Sequence, residues 1–253
     1  MRLVDTHCHL NLPDCFPDPE AEFRACRQAG IGVVLVGVDL ETSKRALELA
    51  EARSDVWAVV GRHPNYTHHY DSCELGELER LLAHPKAVAI GEIGLDFHWD
   101  FATHEQQELA LRDQLDLADQ VGKPVVFHCR EAYPELLDLL EARATLGTTV
   151  FHCFAGTRDD ADRVLTLGGA FGIDGPVTYK KSDALRELAR ELPRDRVLIE
   201  TDSPYLTPAP HRGKPNSPTY LPLVAAELAR VWETTFDDVA AITTANAKRI
   251  FGL

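Results

Sequence analysis

The segment PVVFH (124–128) places a histidine at the end of a short apolar run, and TTVFH (148–152) repeats this arrangement further along the chain. Short apolar runs rich in β-branched residues occur eight times, and amphipathic segments separate them. Each run predicts a strand that is buried on both faces, as strands of parallel sheets are. The runs are LVD (3–5), IGVVLVGV (31–38), VWAVV (56–60), AVAIG (87–91), PVVFH (124–128), TTVFH (148–152), GAFGI (169–173) and RVLIE (196–200).

The amphipathic segments have the period of α-helices. In ETSKRALELAEAR (41–53) and HEQQELALRDQLDLADQVG (104–122), Leu and Ala recur at three- and four-residue spacing. Gly30 and Gly122 stand where a glycine commonly ends a helix. Eight units of strand and helix predict an α/β fold, a (β/α)8 (TIM) barrel, with a doubly wound open sheet as the alternative.

The length of 253 residues fits one such barrel, and we predict a single domain over residues 1–253. Residues 218–248 predict one or two further helices. The segment SPYLTPAPHRGKPNSPTYLP (203–222) contains too many prolines for a regular helix. Because long loops in compact domains are usually functional or disordered, Arg212 and Lys214 are predicted to bind an anionic substrate, with a merely solvated loop as the alternative.

The composition limits the classes of function. The net charge of −14 disfavours a protein that coats duplex DNA, but it allows an enzyme that contacts a few phosphates. No apolar run approaches the ~18 residues of a membrane span, and no basic stretch followed by an apolar one indicates a signal peptide. We therefore predict a cytoplasmic protein without membrane contact.

The six cysteines include no CxxC pair and predict free thiols rather than a disulfide framework. Cys8, Cys129 and Cys153 each follow a histidine directly. Neighbouring side chains of a strand point to opposite faces, so these thiols are expected beneath the helices if the histidines face the interior. Metal ligation by the thiols is the alternative.

Residue types that commonly bind metal ions stand at or just after the ends of most predicted strands. In a parallel barrel these ends meet at one mouth. Burying many ionisable groups without a counter-charge is costly, and metal cations supply that charge. The residues are Asp5, His7 and His9 after the first strand, His63 after the third, Glu92 and Asp96 after the fourth, His128 and His152 in the fifth and sixth, and Glu200 and Asp202 in the eighth.

The number of these ligands predicts two divalent ions. Two ions about 3.5–4 Å apart are typical of enzymes that activate water for phosphoester hydrolysis. Imidazole and carboxylate ligands suit Zn²⁺, Mn²⁺ or Co²⁺, and Mg²⁺ is possible although it takes fewer nitrogens. One ion could be held by His7, His9 and Asp202 and the other by His128 and His152, with Glu92 shared between them.

The order of motifs along the chain resembles the TatD family of metal-dependent deoxyribonucleases, which belong to the amidohydrolase superfamily. The resemblance extends from residue 4 to the C-terminal helices, and it implies a two-metal phosphodiesterase. The chain has Cys129 where relatives often have serine, and Phe97 where tyrosine is common. The motifs are VDTHCH (4–9), GRHP (61–64), GEIGLDF (91–97), FHCRE (127–131), FHCFAG (151–156), ETDSPYL (200–206) and RGKPNSP (212–218).

The resemblance also implies roles for individual residues. His63 matches the family's histidine that helps to bind the scissile phosphate. Asp202 is expected to orient or deprotonate the attacking water and later to protonate the leaving oxygen. Glu200 is expected to fix a ligand or the bound water, or to make only a hydrogen bond at its strand end. The implied metal ligands are His7, His9, Glu92 and Asp202 for one ion and Glu92, His128 and His152 for the other.

Three functions are compatible with these residues. The first is a monomeric nuclease that degrades single-stranded DNA or DNA ends from 3′ to 5′. The second is an ester or amide hydrolase, such as a D-aminoacyl-tRNA deacylase, because the same ligands serve both chemistries. The third is a metal-binding partner protein without catalysis. Phe97, Trp99 and Tyr205 are candidates for stacking on bases, with packing or plain surface exposure as the alternative.

Overall fold

The computed structural model describes residues 1–253, with eight strands and nine α-helices. Strand and helix alternate along the chain as far as α8, and α9 follows α8 directly. The strands are β1 (Leu3–Cys8), β2 (Ile31–Val36), β3 (Val56–Val60), β4 (Ala87–Asp96), β5 (Val125–Arg130), β6 (Thr149–Phe151), β7 (Ala170–Ile173) and β8 (Val197–Ile199). The helices are α1 (Glu20–Ala29), α2 (Leu40–Glu51), α3 (Leu75–Leu82), α4 (His104–Val121), α5 (Tyr133–Glu141), α6 (Arg158–Thr166), α7 (Asp183–Glu191), α8 (Leu221–Val231) and α9 (Phe236–Phe251).

The eight strands form one parallel sheet in the order β1 to β8. The ring closes beyond the end of β8, where Cys8 pairs with Ser203. The backbone N–H of Asp202 donates to the carbonyl of His7 at 2.9 Å, and that of His9 donates to the carbonyl of Ser203 at 2.8 Å. The prediction of a (β/α)8 barrel is confirmed, and the doubly wound sheet is wrong.

Two apolar layers hold the barrel together. The larger lies between the strands and the surrounding helices. The smaller takes side chains from every strand, such as Val4 of β1 and Leu198 of β8, and therefore fills the interior. Ile250 and Phe251 of α9 join this inner layer and close the amino-terminal end of the barrel. Polar groups inside the barrel are thus confined to the carboxyl ends of the strands.

Most predicted element boundaries agree with the structure to within two or three residues. Gly30 and Gly122 end α1 and α4 with φ of +71° and +66°, as predicted. The tail forms two helices, and α8 begins at Leu221, so the last residues of the predicted loop are helical. Pro222 lies in the first turn of that helix, where its missing N–H costs nothing. None of the nine helices combines the length and apolar character needed to cross a bilayer.

Asp5 links β1 to the segment after β8 below the mouth of the barrel. Its fully buried Oδ1 accepts the backbone N–H of Thr201 at 2.9 Å and that of His7 at 3.3 Å. Its Oδ2 lies 2.5 Å from the Thr201 hydroxyl. Burial raises the pKa of Asp5 from 3.8 to about 8, so the native carboxyl group is protonated at neutral pH.

Replacement of Asp5 tests this link. Asp5→Ala is expected to lower the free energy of unfolding by about 2–4 kcal/mol, since each buried donor left without an acceptor costs about 1–3 kcal/mol. Asp5→Asn keeps the acceptor and is neutral like the native acid, so it is expected to cost far less. Urea unfolding of the three proteins measures both effects.

The difference in unfolding free energy between wild type and Asp5→Asn is expected to depend on pH. The unfolded Asp5 ionises near 3.8 whereas the native one holds its proton up to about 8, so folding takes up a proton between these values. Wild type should therefore lose stability relative to Asp5→Asn as the pH rises from about 4 to about 8. A constant difference across this range would show that Asp5 is ionised in the native protein.

Candidate metal centre

The residues predicted at the strand ends surround a cavity at the carboxyl end of the barrel. Its volume is about 1070 Å³, at the upper limit of the roughly 300–1,000 Å³ typical of small-molecule pockets. His7 lies fully buried beneath this cavity. The other predicted metal ligands and His63 line it, namely His9, His63, Glu92, His128, His152 and Asp202.

Three overlapping groups of side chains place their ligand atoms within 4.8 Å of one another. Glu92 belongs to two of the groups, and so does His7. The six predicted metal ligands and His63 are therefore all brought together. The groups are His7, Glu92 and His152; His7, His9 and Asp202; and His63, Glu92 and His128.

Glu92 stands at the centre of the cluster. Its Oε1 lies 2.6 Å from His152 Nε2 and 2.9 Å from His128 Nδ1, and its Oε2 lies 3.4 Å from His7 Nε2. Burial by itself would raise the pKa of Glu92, but the imidazoles of His152, His63 and His7 hold that pKa well below its usual value. The carboxylate is therefore ionised and available to cations on both of its oxygens.

Asp202 and His9 form the second part of the cluster. Asp202 Oδ1 lies 3.3 Å from His9 Nε2 and 3.8 Å from His7 Nε2. Asp202 has φ of +54°, in the left-handed region that aspartate tolerates better than most residues. The Nδ1–H of His9 donates to the carbonyl of Val36 at 2.9 Å, which leaves the Nε2 lone pair directed at the cluster.

The chemistry of these donors fits divalent metal ions. Both ring nitrogens of His7 are buried and have no hydrogen-bond partner. The Nε2–H of His128 donates to Asp96 at 3.0 Å, which leaves its Nδ1 2.9 Å from the Glu92 carboxylate. A lone pair and a carboxylate oxygen attract each other only through a shared proton or metal cation. Imidazole and carboxylate donors suit borderline ions such as Zn²⁺, Mn²⁺ and Co²⁺.

His63 presents a donor rather than a lone pair to the cavity. Its Nδ1 accepts the backbone N–H of Asn65 at 3.0 Å, so the proton of the neutral ring is on Nε2. Burial lowers the pKa of His63 to about 3, which keeps the ring neutral. Its Nε2–H lies 3.7 Å from Glu92 Oε1 and can donate to an anionic oxygen in the cavity.

Glu200 lies behind His152, outside the cavity. Its Oε1 accepts the backbone N–H of Cys153 at 2.6 Å and lies 3.6 Å from His152 Nδ1. A Cβ on Gly172 would stand 2.3 Å from this carboxylate, so only glycine leaves room for it. Glu200 thus lies next to His152 and makes a hydrogen bond at its strand end, and both roles expected from the sequence stay predictions.

Two further buried carboxylates lie at or near the cavity: Asp96, which is predicted at a strand end without a specific role, and Asp174, which is not among the predicted residues. Asp96 Oδ2 accepts from His128 and, at 3.0 Å, from the side-chain amide of Asn65. Because the backbone N–H of Asn65 donates to His63, Asp96 links His128 to His63. Asp174 directly follows β7 and is buried, and burial raises its pKa well above the usual value. The sequence signal for both was their position after an apolar run.

The structure corrects one expectation about the cysteines. All six thiols are free, as predicted; Cys8 lies in the larger apolar layer, and Cys129 packs against that layer and also lines the cavity. Cys153 does not lie beneath the helices but lines the cavity beside Asp174. The reason is that β6 ends at Phe151 and Cys153 has φ of +44°, so the alternation of a strand no longer applies.

Arg212 and Lys214 are exposed and do not line the cavity. The guanidinium of Arg212 lies 4.0 Å above the ring of Tyr179. Among the aromatic candidates, Phe97 stacks on His104 at 3.7 Å between ring centroids and is used in packing. Trp99 and Tyr205 line the cavity.

Asp96 provides a prediction about the site. In Asp96→Asn an amide nitrogen, which only donates, takes the place of the oxygen that accepts from His128 and Asn65. His128 should therefore be misoriented, and we expect kcat/KM to fall about 10- to 100-fold. Asp55→Asn, which alters only a surface pair with Arg27, should leave activity unchanged. Steady-state kinetics give kcat/KM for both variants. Equal values would show that Asp96 does not position His128.

A parallel (β/α)8 barrel with imidazoles and carboxylates clustered at its carboxyl end is the arrangement of metal-dependent hydrolases. The chain belongs to the TatD related DNase family, whose sequence model matches residues 4–252. The family predicted from the motifs is thus confirmed.

Individual relatives support this assignment. The chain is 42% identical over 243 residues to the 3′-5′ ssDNA/RNA exonuclease TatD of Edwardsiella piscicida, covering 93% of both chains. It is 39% identical over 251 residues to the uncharacterized metal-dependent hydrolase YabD of Bacillus subtilis, covering 98% of both. The crystal structure of the TatD homologue YJJV from Escherichia coli K12 superposes with a TM-score of 0.93 at 31% identity, covering 100% of this chain and 98% of that one.

Proposed function

We propose that this chain is a divalent-metal-dependent exonuclease that removes nucleotides from the 3′ end of single-stranded nucleic acid. The observation that carries the proposal is the position of Glu92, whose two oxygens each face a different group of imidazoles. A single carboxylate placed in this way suits two neighbouring cations, as phosphodiester hydrolysis uses. The named activity of the Edwardsiella relative agrees with it.

In this proposal Glu92 would help to hold two divalent ions, Zn²⁺, Mn²⁺ or Mg²⁺. When bound, they would polarise the phosphate and make water more acidic. The geometry also groups His152 with His7, whose rings stack at 3.9 Å, so the division of ligands between the ions stays a prediction. The proposed ligands are His7, His9, Glu92 and Asp202 for one ion and Glu92, His128 and His152 for the other.

Asp202 is the proposed acid and base. Burial opposes its ionisation, but His9 outweighs this and keeps the pKa of Asp202 below the usual value, so the carboxylate can accept a proton. It takes a proton from the water that attacks phosphorus and returns it to the 3′ oxygen when the P–O3′ bond breaks. His63 donates its Nε2–H to a phosphate oxygen, and Glu200 holds His152 in place.

The remaining contacts in this proposal lie outside the cavity. Arg212 and Lys214, on the exposed loop after β8, contact the nucleic acid beyond the bound nucleotide.

The barrel acts as a single domain over residues 1–253 and as a monomer. The net charge of −14 agrees with a protein that holds a few nucleotides locally.

The test is digestion of 5′-labelled single-stranded DNA and RNA by metal-stripped protein, with Mg²⁺, Mn²⁺ and Zn²⁺ added back one at a time. A ladder of products shortened from the 3′ end, dependent on metal, is expected. A charged tRNA is assayed in parallel. Release of the amino acid without cleavage of either oligonucleotide would replace this proposal with the ester hydrolase.

A further inference from the structure

Exposed aromatic side chains are concentrated at the mouth of the cavity. Seven large apolar residues are exposed in the whole chain, and only Met1 and Leu109 of these lie away from the cavity. Contiguous exposed apolar surface usually marks a binding site. The five at the mouth are Tyr66, Trp99, Phe101, Tyr205 and Leu206.

One side of the mouth is a wall made by Trp99, Phe101 and Arg130, here called the aromatic wall. The rings of Trp99 and Phe101 stack at 5.7 Å with an interplanar angle of 27°, and they are 46% and 60% exposed. The Arg130 guanidinium lies 5.6 Å from the centre of the Trp99 ring and pairs with no carboxylate. The neighbouring Glu131 pairs instead with His98 at 2.7 Å.

The aromatic wall is tied directly to the metal-binding floor of the cavity. The backbone N–H of Trp99 donates to Asp96 Oδ1 at 3.2 Å, and the other oxygen of Asp96 holds His128. Across the mouth, Tyr205 contacts His9 edge-on at 6.1 Å between ring centroids. An extended ligand bound at the floor would therefore continue between aromatic surfaces.

Resting on the proposed function, we propose that the aromatic wall is a stacking subsite for a nucleobase next to the cleaved bond. Flat apolar faces beside an unpaired cation match a base with its adjoining phosphate. In a duplex the faces of the bases are covered by their neighbours, so the subsite selects single strands. Because every base has a π-face, it does so without regard to sequence.

The first test alters enzyme and substrate together. Trp99→Ala is assayed on a 5′-labelled single strand and on strands in which one of the last three nucleotides in turn carries an abasic spacer. We expect Trp99→Ala to lower kcat/KM about tenfold on the complete strand. The spacer at one position should lower wild-type kcat/KM by a similar factor. On that substrate Trp99→Ala should cause no further loss.

The controls use the same chain. Trp99→Phe keeps an aromatic face and should retain most of the activity. Leu109→Ala removes a side chain that is 56% exposed on α4, away from the cavity, and should change nothing. An equal loss for Trp99→Ala on complete and abasic strands would overturn the proposal. So would a change of oligomeric state in Trp99→Ala on gel filtration, because the wall would then cover a second copy.

A binding measurement separates this subsite from the proposed reaction. In metal-loaded Asp202→Asn, addition of oligo(dT) should quench tryptophan fluorescence. The quenching should disappear in Asp202→Asn/Trp99→Phe, because the remaining tryptophans do not face the ligand: Trp232 is buried and Trp57 is away from the cavity. Fluorescence anisotropy of a labelled oligo(dT) should still report binding to this variant. If wild type cleaves no oligonucleotide, the proposed function fails, and the quenching still decides the subsite. Binding without quenching would overturn it.

Discussion

Asp202→Asn is expected to lower kcat for oligonucleotide hydrolysis by about 10²–10⁴-fold, the contribution of one acid and base group. The amide has the shape of the carboxylate but cannot take the proton of the attacking water. The fold should be retained, because asparagine also tolerates φ of +54° and the backbone bond to His7 is unaffected. Metal content should stay largely intact, since Glu92 and the histidines remain.

Asp174 supplies the matched control for this prediction. It is a buried aspartate near Asp202, but burial raises its pKa well above the usual value and so favours the protonated carboxyl, which cannot accept a proton. Asp174→Asn should therefore keep activity within about threefold of wild type. Single-turnover kinetics and metal analysis of both variants give the answer. If Asp174→Asn lost as much activity as Asp202→Asn, the proton acceptor would have to be reassigned.

The barrel could be predicted from the sequence because each strand carries its own signal. Strands buried on both faces need runs of apolar residues, and VWAVV (56–60) matches β3 at both ends. The predicted strand AVAIG (87–91) is shorter than β4, which continues to Asp96, because GEIGLD contains two glycines and two acids and so lacks a continuous apolar run. All ten residues of β4 are nevertheless buried, since this strand carries its polar side chains into the site.

The cluster of ligand types could be predicted for a related reason. A parallel barrel brings the carboxyl ends of all strands to one mouth, so residues such as His9 and His152 meet whatever lies between them in sequence. The same argument does not predict which way a side chain points once its strand has ended. Cys153, with φ of +44°, turns into the cavity, and Phe97, the first residue after β4, packs on His104; no periodic pattern encodes either direction.

The aromatic wall illustrates the same limit. Phe97, Trp99 and Phe101 alternate in sequence, which alone suggests a shared face. In the structure Trp99 and Phe101 face the cavity while Phe97 does not, because β4 ends at Asp96 and the loop changes direction. Arg130, from β5, joins the wall only through the tertiary fold.

Glu92→Gln is expected to have the largest effect of any single substitution. Five imidazoles approach this carboxylate within 4.0 Å, and an uncharged amide can neither balance cations on both sides nor accept from the rings as strongly. Activity should fall by at least about 10⁴-fold, beyond the contribution of one acid and base group. Bound metal should fall by half or more.

Thermal unfolding with and without added Zn²⁺ or Mn²⁺ provides a measurement independent of activity. Ions that bind only the folded chain raise its melting temperature, so wild type and Asp202→Asn should be stabilised. Glu92→Gln should show a much smaller rise, whereas Glu77→Gln, which weakens only surface pairs with Lys44 at 2.9 Å and Arg80 at 2.7 Å, should behave as wild type. The prediction would be contradicted if Glu92→Gln bound as much metal as wild type and showed the same rise in melting temperature. The ions would then be held elsewhere in the cluster, and Glu92 would only interact with the histidines.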